Sequence, residues 1–133
     1  MPNIIKLKFP SSKVQAAITT RLGGRSQSPY ASLNLAMHVG DDPAAVEENR
    51  ALLMHSLNLP QQPLWLNQVH SATCLSNTWL FDIAGVAAKK LIRAGLSSID
   101  QVKLCTYDNK QNFFSYRRDG QTGRIASLIW LSN

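Results

Sequence analysis

No run in this sequence approaches the roughly 20 apolar residues of a helical membrane span. Its first residues also lack the charged-then-apolar pattern of a secretory signal, so the expected compartment is the cytosol. Cysteine is scarce: Cys74 and Cys105 fit neither zinc-ribbon nor thioredoxin spacing, and in the cytosol both should stay reduced. Charged residues make up 17% against 44% hydrophobic, which excludes a disordered chain and predicts one small globular domain over residues 1–133. Acids are outnumbered, 8 against 14 Lys and Arg, for a net charge of +6 that leaves phosphate, nucleic acid or another anion open as partner. No repeat or low-complexity tract is present.

Residues 4–9 and 14–20 read as short strands around the Pro10-Ser11-Ser12 turn. The next stretch, Arg21 to Tyr30, is rich in turn formers. Its paired glycines permit close approach of a ligand to backbone N–H groups, and Arg21 and Arg25 could meet an anion; the alternative is a plain surface turn. Helix-start chemistry is clear at Asp42 and Pro43, with Glu47 and Glu48 near the positive end of the helix. Val46, Leu53 and Leu57 share a face and Pro60 forbids continuation, so residues 42–58 should be a helix packed on a sheet. His38 falls in the loop just before it.

Residues 63–70 alternate as a buried strand that ends on His70, where an imidazole can hold a metal, move a proton or serve only structure. Residues 71–78 carry no pattern. A second helix is expected over 82–94, with Ile83, Val86, Ala87 and Leu91 on one face and Gly95 as its stop. Strands are then expected at 101–106 and 113–116, and an internal strand at 125–131 with Trp130 in the core. Cys105 reads as a small buried apolar residue. Arg117, Arg118 and Arg124 form the densest basic spot, suited either to phosphate or to lying along the core edge.

Taken together, several blocks resemble one family. Thr19-Thr20-Arg21-Leu22-Gly23-Gly24, Pro29-Tyr30-Ala31-Ser32-Leu33-Asn34-Leu35, His38-Val39-Gly40-Asp41-Asp42, Glu48-Asn49-Arg50 and Gln68-Val69-His70 are similar to the opening of the YfiH/DUF152 family. Cys105-Thr106-Tyr107, the run from Phe113 to Asp119, Thr122-Gly123-Arg124 and Ala126-Ser127 are similar to its end. The resemblance implies an α+β fold of mixed sheets flanked by helices, an α/β/β/α sandwich. It also implies phosphorolysis of purine nucleosides, deamination of adenosine, and a metal centre of zinc, read as copper when the family was described as polyphenol oxidases. The centre takes one histidine from Gln-Val-His, a cysteine from Ala-Asp-Cys and a histidine from His-Ala-Gly-Trp-Arg.

Only the first ligand has a counterpart, His70; the other two motifs occur nowhere in the 133 residues. An internal deletion near residues 71–78 is therefore expected. Cys74 is a poor substitute, since on an extended strand it would sit roughly 13 Å from His70 at about 3.3 Å per residue. By resemblance His70 is the metal ligand or acid/base, with Arg21, His38 and Asn49 expected to contact substrate, and Arg117 and Arg118 phosphate. Three readings compete: a purine nucleoside enzyme, a catalytically defective remnant that oligomerises through exposed sheet edges, and a basic nucleic-acid-binding module, for which no recognition motif is present.

Overall fold

The structure, a computed structural model, describes residues 1–8, 12–66 and 83–132. The fold is α+β. Two compact units divide the chain, Met1–Leu64 with Cys105–Asn133, and Trp65–Leu104.

In the first unit, β1 (Ile4–Leu7) pairs antiparallel with β2 (Val14–Thr19), and β2 pairs antiparallel with β3 (Ser127–Leu131), in the order β1-β2-β3. The register puts Ile4, Lys6, Gln15, Ala17, Thr19, Leu128 and Trp130 on one face and Ile5, Leu7, Val14, Ala16, Ile18, Ile129 and Leu131 on the other. Thr19 closes the ladder: its N–H donates to the Ala126 carbonyl at 2.9 Å, and its hydroxyl accepts the Ala126 N–H at 2.8 Å. The internal strand expected at 125–131 is corrected, because among the described residues β3 is an edge strand of alternating exposure with Trp130 only half-buried. A continuous apolar run cannot report how many neighbours a strand has.

The helix expected at 42–58 is α1 (Pro43–Leu57) with both caps in place. The Asp42 side chain accepts the Ala44 N–H at 3.0 Å, Pro43 occupies the first turn, and Asn58 turns left-handed at φ 48° while donating to the His55 carbonyl. Val46, Asn49, Leu53 and Leu57 are buried at helical spacing, and Leu57 lines a hollow with Lys6, Gln15 and Trp130. The helix therefore lies on the Ala17–Trp130 side of the sheet.

Two other expected strands are not formed. Residues 101–105 are irregular, with Val102 and Leu104 exposed and a turn begun by the Asn109 N–H bonding the Cys105 carbonyl; Cys105 itself is exposed, not buried. At 113–116 Phe113 and Phe114 are buried without strand partners, and the chain winds at once into a single turn, α2 (Tyr116–Asp119), whose Arg118 and Asp119 N–H groups donate to the Ser115 carbonyl. Two adjacent apolar side chains read alike in a strand and in a buried loop.

In the second unit the helix expected at 82–94 spans Ile83–Arg93 and ends at Gly95, φ 95°. The buried strand expected at 63–70 is not seen in its described part: residues 63–66 are irregular, with Leu64 and Leu66 89% and 85% exposed. A strand needs a hydrogen-bonded neighbour, and the sheet of the described residues does not extend to this segment. Residues 67–70, including His70, and the joint at 71–78 lie outside the described residues.

Candidate functional site

Directly after β2 the chain enters a loop whose polar groups are almost all committed. The Gly23 and Gly24 N–H groups donate to the Ser32 hydroxyl at 3.0 and 3.2 Å, so they cradle a side chain where a ligand had been open. A Cβ at Gly24 would meet the Ser32 carbonyl and come within 2.5 Å of both the Leu33 Cα and the Asn49 Oδ1. Only glycine fits there.

Asn49, fully buried on α1, pins this loop. Its Nδ2 donates to the Asn34 carbonyl at 2.8 Å, the Ser26 hydroxyl at 2.9 Å and the Ser32 carbonyl at 3.2 Å, and its Oδ1 accepts the Arg25 N–H at 2.7 Å. Asn34, also buried, does the same between distant parts of the chain. Its Oδ1 accepts from the N–H groups of Ala36 and Arg124, and its Nδ2 donates to the Ala36 carbonyl and to Asp41 Oδ2 at 2.9 Å. Its signal was a polar residue inside the apolar run 33–36, legible only as an anomaly. Nearby, Gln121 donates to the Tyr30 hydroxyl, which donates to the Val39 carbonyl at 2.8 Å, joining the 3-10 turn Met37–Val39 to the last loop.

The arginines are committed too. Arg21 sends Nε and Nη2 to the Ala31 carbonyl at 3.0 and 2.9 Å, and its guanidinium lies 4.6 Å from the Phe114 ring centre. Arg118 spends all five N–H donors: two on Asp119, and one each on the carbonyls of Thr106, Tyr107 and Phe113, at 2.6 to 2.9 Å. Arg124 uses Nη1 on the Thr122 and Gly123 carbonyls and sits 5.5 Å from the Tyr116 ring centre. His38 and Arg117 are exposed, with no side-chain partner among the described residues. One frame thus joins Arg21, Asn49 and Arg118 through the loop backbone, and for a nucleic-acid backbone the basic spot leaves Arg117 and the outer side of Arg124. Thr122 Oγ1 is buried without a partner among the described residues.

The Arg118 hydrogen bond, before any other influence, holds the Asp119 carboxyl below the usual carboxylate range, and the same bond raises Arg118. A depressed carboxyl stabilises the fold above its unfolded pKa of about 3.9, and that contribution is lost as pH falls through the folded value. Asp119→Asn is therefore expected to melt lower than the parent at pH 7, with the gap closing towards pH 3. Thermal melts at stepped pH check this, and a gap that stays constant with pH counts against the pairing.

The family model for multi-copper polyphenol oxidoreductase laccase matches residues 15–78 and, in a second piece, 72–132. The chain belongs to this laccase-domain family. Among its curated relatives, purine nucleoside phosphorylase YfiH of Escherichia coli is 26% identical over 242 residues, covering 98% of this chain and 100% of the relative. Purine nucleoside phosphorylase Rv2149c of Mycobacterium tuberculosis is 49% identical over 126 residues, 90% of this chain but 50% of that relative. The crystal structure of Neisseria meningitidis protein NMB0706, of family DUF152, superposes with a TM-score of 0.87 at 24% identity over 98% of this chain and 100% of that one, a match of fold. The 242-residue alignment is longer than this 133-residue chain by more than a hundred positions, so that many residues of the Escherichia coli laccase-domain protein have no counterpart here.

For the metal that the laccase-domain family implies, the donors among the described residues do not add up. Among the described residues no three His, Cys, Asp or Glu side chains gather as a metal site, and Cys105 is an exposed free thiol. Three further potential ligands, His70, Cys74 and Asp82, lie outside the described residues. Structural and catalytic zinc sites take at least three protein ligands, and the described residues bring no such set together.

Proposed function

We propose that this chain is a laccase-domain protein that retains the outer frame of a purine nucleoside phosphorylase without its metal centre, and that by itself it is silent in phosphorolysis and in adenosine deamination. The observation that carries the reading is the 242-residue alignment, which leaves over a hundred of the relative's residues unmatched while the two family-model matches meet at 72–78, the position of the expected deletion. The missing stretch is where the Ala-Asp-Cys and His-Ala-Gly-Trp-Arg motifs would fall.

In this reading His70 is the surviving zinc ligand, or copper ligand on the older view, and has no companions to lower the pKa of a bound water. His38 and Arg117 keep the exposure to meet the phosphate of a purine nucleoside–phosphate pair. Arg21, Asn49 and Arg118 act on that site by holding its loops, since their donors are already engaged. The cytosol is the compartment in which such a nucleoside enzyme would find its substrates.

The test is release of adenine or hypoxanthine from adenosine or inosine with inorganic phosphate, alongside a full-length relative as positive control. The expected rate is that of the enzyme-free blank. Metal-dependent release that disappears in His70→Ala would overturn the proposal and restore the active-enzyme reading.

A further inference from the structure

The first unit is closed by its two ends gripping each other. β2 carries β1 on one edge and β3, from the last residues of the chain, on the other, with Val14 opposite Leu131 and Ile18 opposite Ser127. The pairing continues beyond the ladder at both ends: the Ser132 N–H donates to the Lys13 carbonyl at 2.9 Å, and Thr19 bonds Ala126 twice. The loops are tied in the same way. The Arg21 N–H donates to the Asn112 carbonyl at 2.7 Å while its guanidinium lies over the Phe114 ring, and the Arg124 N–H donates to Asn34 Oδ1 at 2.9 Å. Phe113 and Phe114, both from the C-terminal segment, are buried.

We propose that Met1–Leu64 forms a binding surface for the segment Cys105–Asn133 that is complete without the covalent connection between them. Cutting or lengthening that connection then leaves the frame assembled. The chemistry is that of strand addition: main-chain hydrogen bonds along the edge of β2 supply affinity, and the adjacent anchors Phe113 and Phe114 supply specificity. The connection acts only through the entropy of closing its loop, which shifts the equilibrium about threefold for each doubling of loop length. Its length is therefore a weak lever. The same arithmetic accounts for a frame that outlasts the loss of more than a hundred residues relative to YfiH of Escherichia coli, since the two family-model pieces that flank the loss meet at 72–78. The grip of the two ends on each other is independent of whether the chain turns over nucleoside.

The experiment places the recognition sequence of a site-specific protease after Leu64, where Leu64 and Leu66 are 89% and 85% exposed, and cuts the folded full chain there. At about 10 µM the cut protein should elute from a size-exclusion column at the volume of the uncut one, with the same circular dichroism, and should part into two pieces only in denaturant. Its melting temperature should rise with protein concentration, as two molecules require, while that of the uncut chain stays fixed. Phe114→Ala, which removes the ring beneath Arg21, should weaken the cut assembly at least tenfold. Independently of any cut, a Gly/Ser insertion after Leu64 as long as the segment 65–104 should lower the folding equilibrium constant about threefold. The proposal is overturned if the pieces separate at that concentration, if the circular dichroism collapses on cutting, or if the pieces hold together only as a larger aggregate. It is equally overturned if Phe114→Ala leaves the cut assembly as tight as before, or if the insertion costs more than about thirtyfold, ten times what loop closure allows.

Discussion

Asn49→Ala is expected to destabilise the fold by about 3 kcal/mol, one of the largest effects of any single side chain in this protein. The substitution leaves the Arg25 N–H, the Ser26 hydroxyl and the Asn34 carbonyl without their partner in a fully buried setting, and opens a small cavity under α1. For a unit of this size that corresponds to a melting temperature roughly 12–20 °C lower. Asn49→Asp, which keeps the acceptor for Arg25 but loses the donors, should fall further than a surface substitution while retaining that one bond. A melt of Asn49→Ala within a degree or two of the parent would show that the loop is held by something else.

The sequence was most legible where the physics is local. Asp42, Pro43, Asn58 and Pro60 each act on their own few residues, and α1 begins and ends where they place it. Paired β1 and β2 were readable for the same reason, from short runs either side of a turn. Legibility fell wherever the outcome depended on distant partners. Residues 113–116 and 101–106 carry strand-like composition, yet Arg118 gathers the carbonyls of Thr106, Tyr107 and Phe113 into a compact loop. Nothing in the composition of 125–131 says that β3 has, among the described residues, a neighbour on one side only.

The same limit applies to the site. The resemblance drew attention to Arg21, Asn49 and Arg118, but a residue type in a family block does not reveal whether its donors face a ligand or the backbone. In the structure they face the backbone. Asn34 joins the first blocks to the last, a role hidden from the sequence because the partner that makes it, the Arg124 N–H, lies 90 residues away.

The second large effect concerns metal. Three protein ligands hold zinc because each replaces a water at about 2.0 to 2.3 Å without a fresh loss of chain freedom, and affinity collapses as ligands are removed. With His38, His55 and Cys105 outside any three-ligand group among the described residues, the expected centre is left with His70 of its three family ligands, and Cys74 and Asp82 are the other candidate donors outside those residues. A centre that keeps one of its three family ligands is expected to lose zinc on dialysis against a chelator. His70→Ala should accordingly leave the metal content of the protein unchanged, where in an intact centre it would empty the site.

The decisive measurement is the zinc and copper content of the folded, chelator-dialysed chain, grown with both metals supplied. Well under one-tenth of an ion per chain is the predicted result, before and after His70→Ala. One tightly held ion per chain, lost in His70→Ala, would mean that the centre is complete and that the frame described here belongs to a working enzyme.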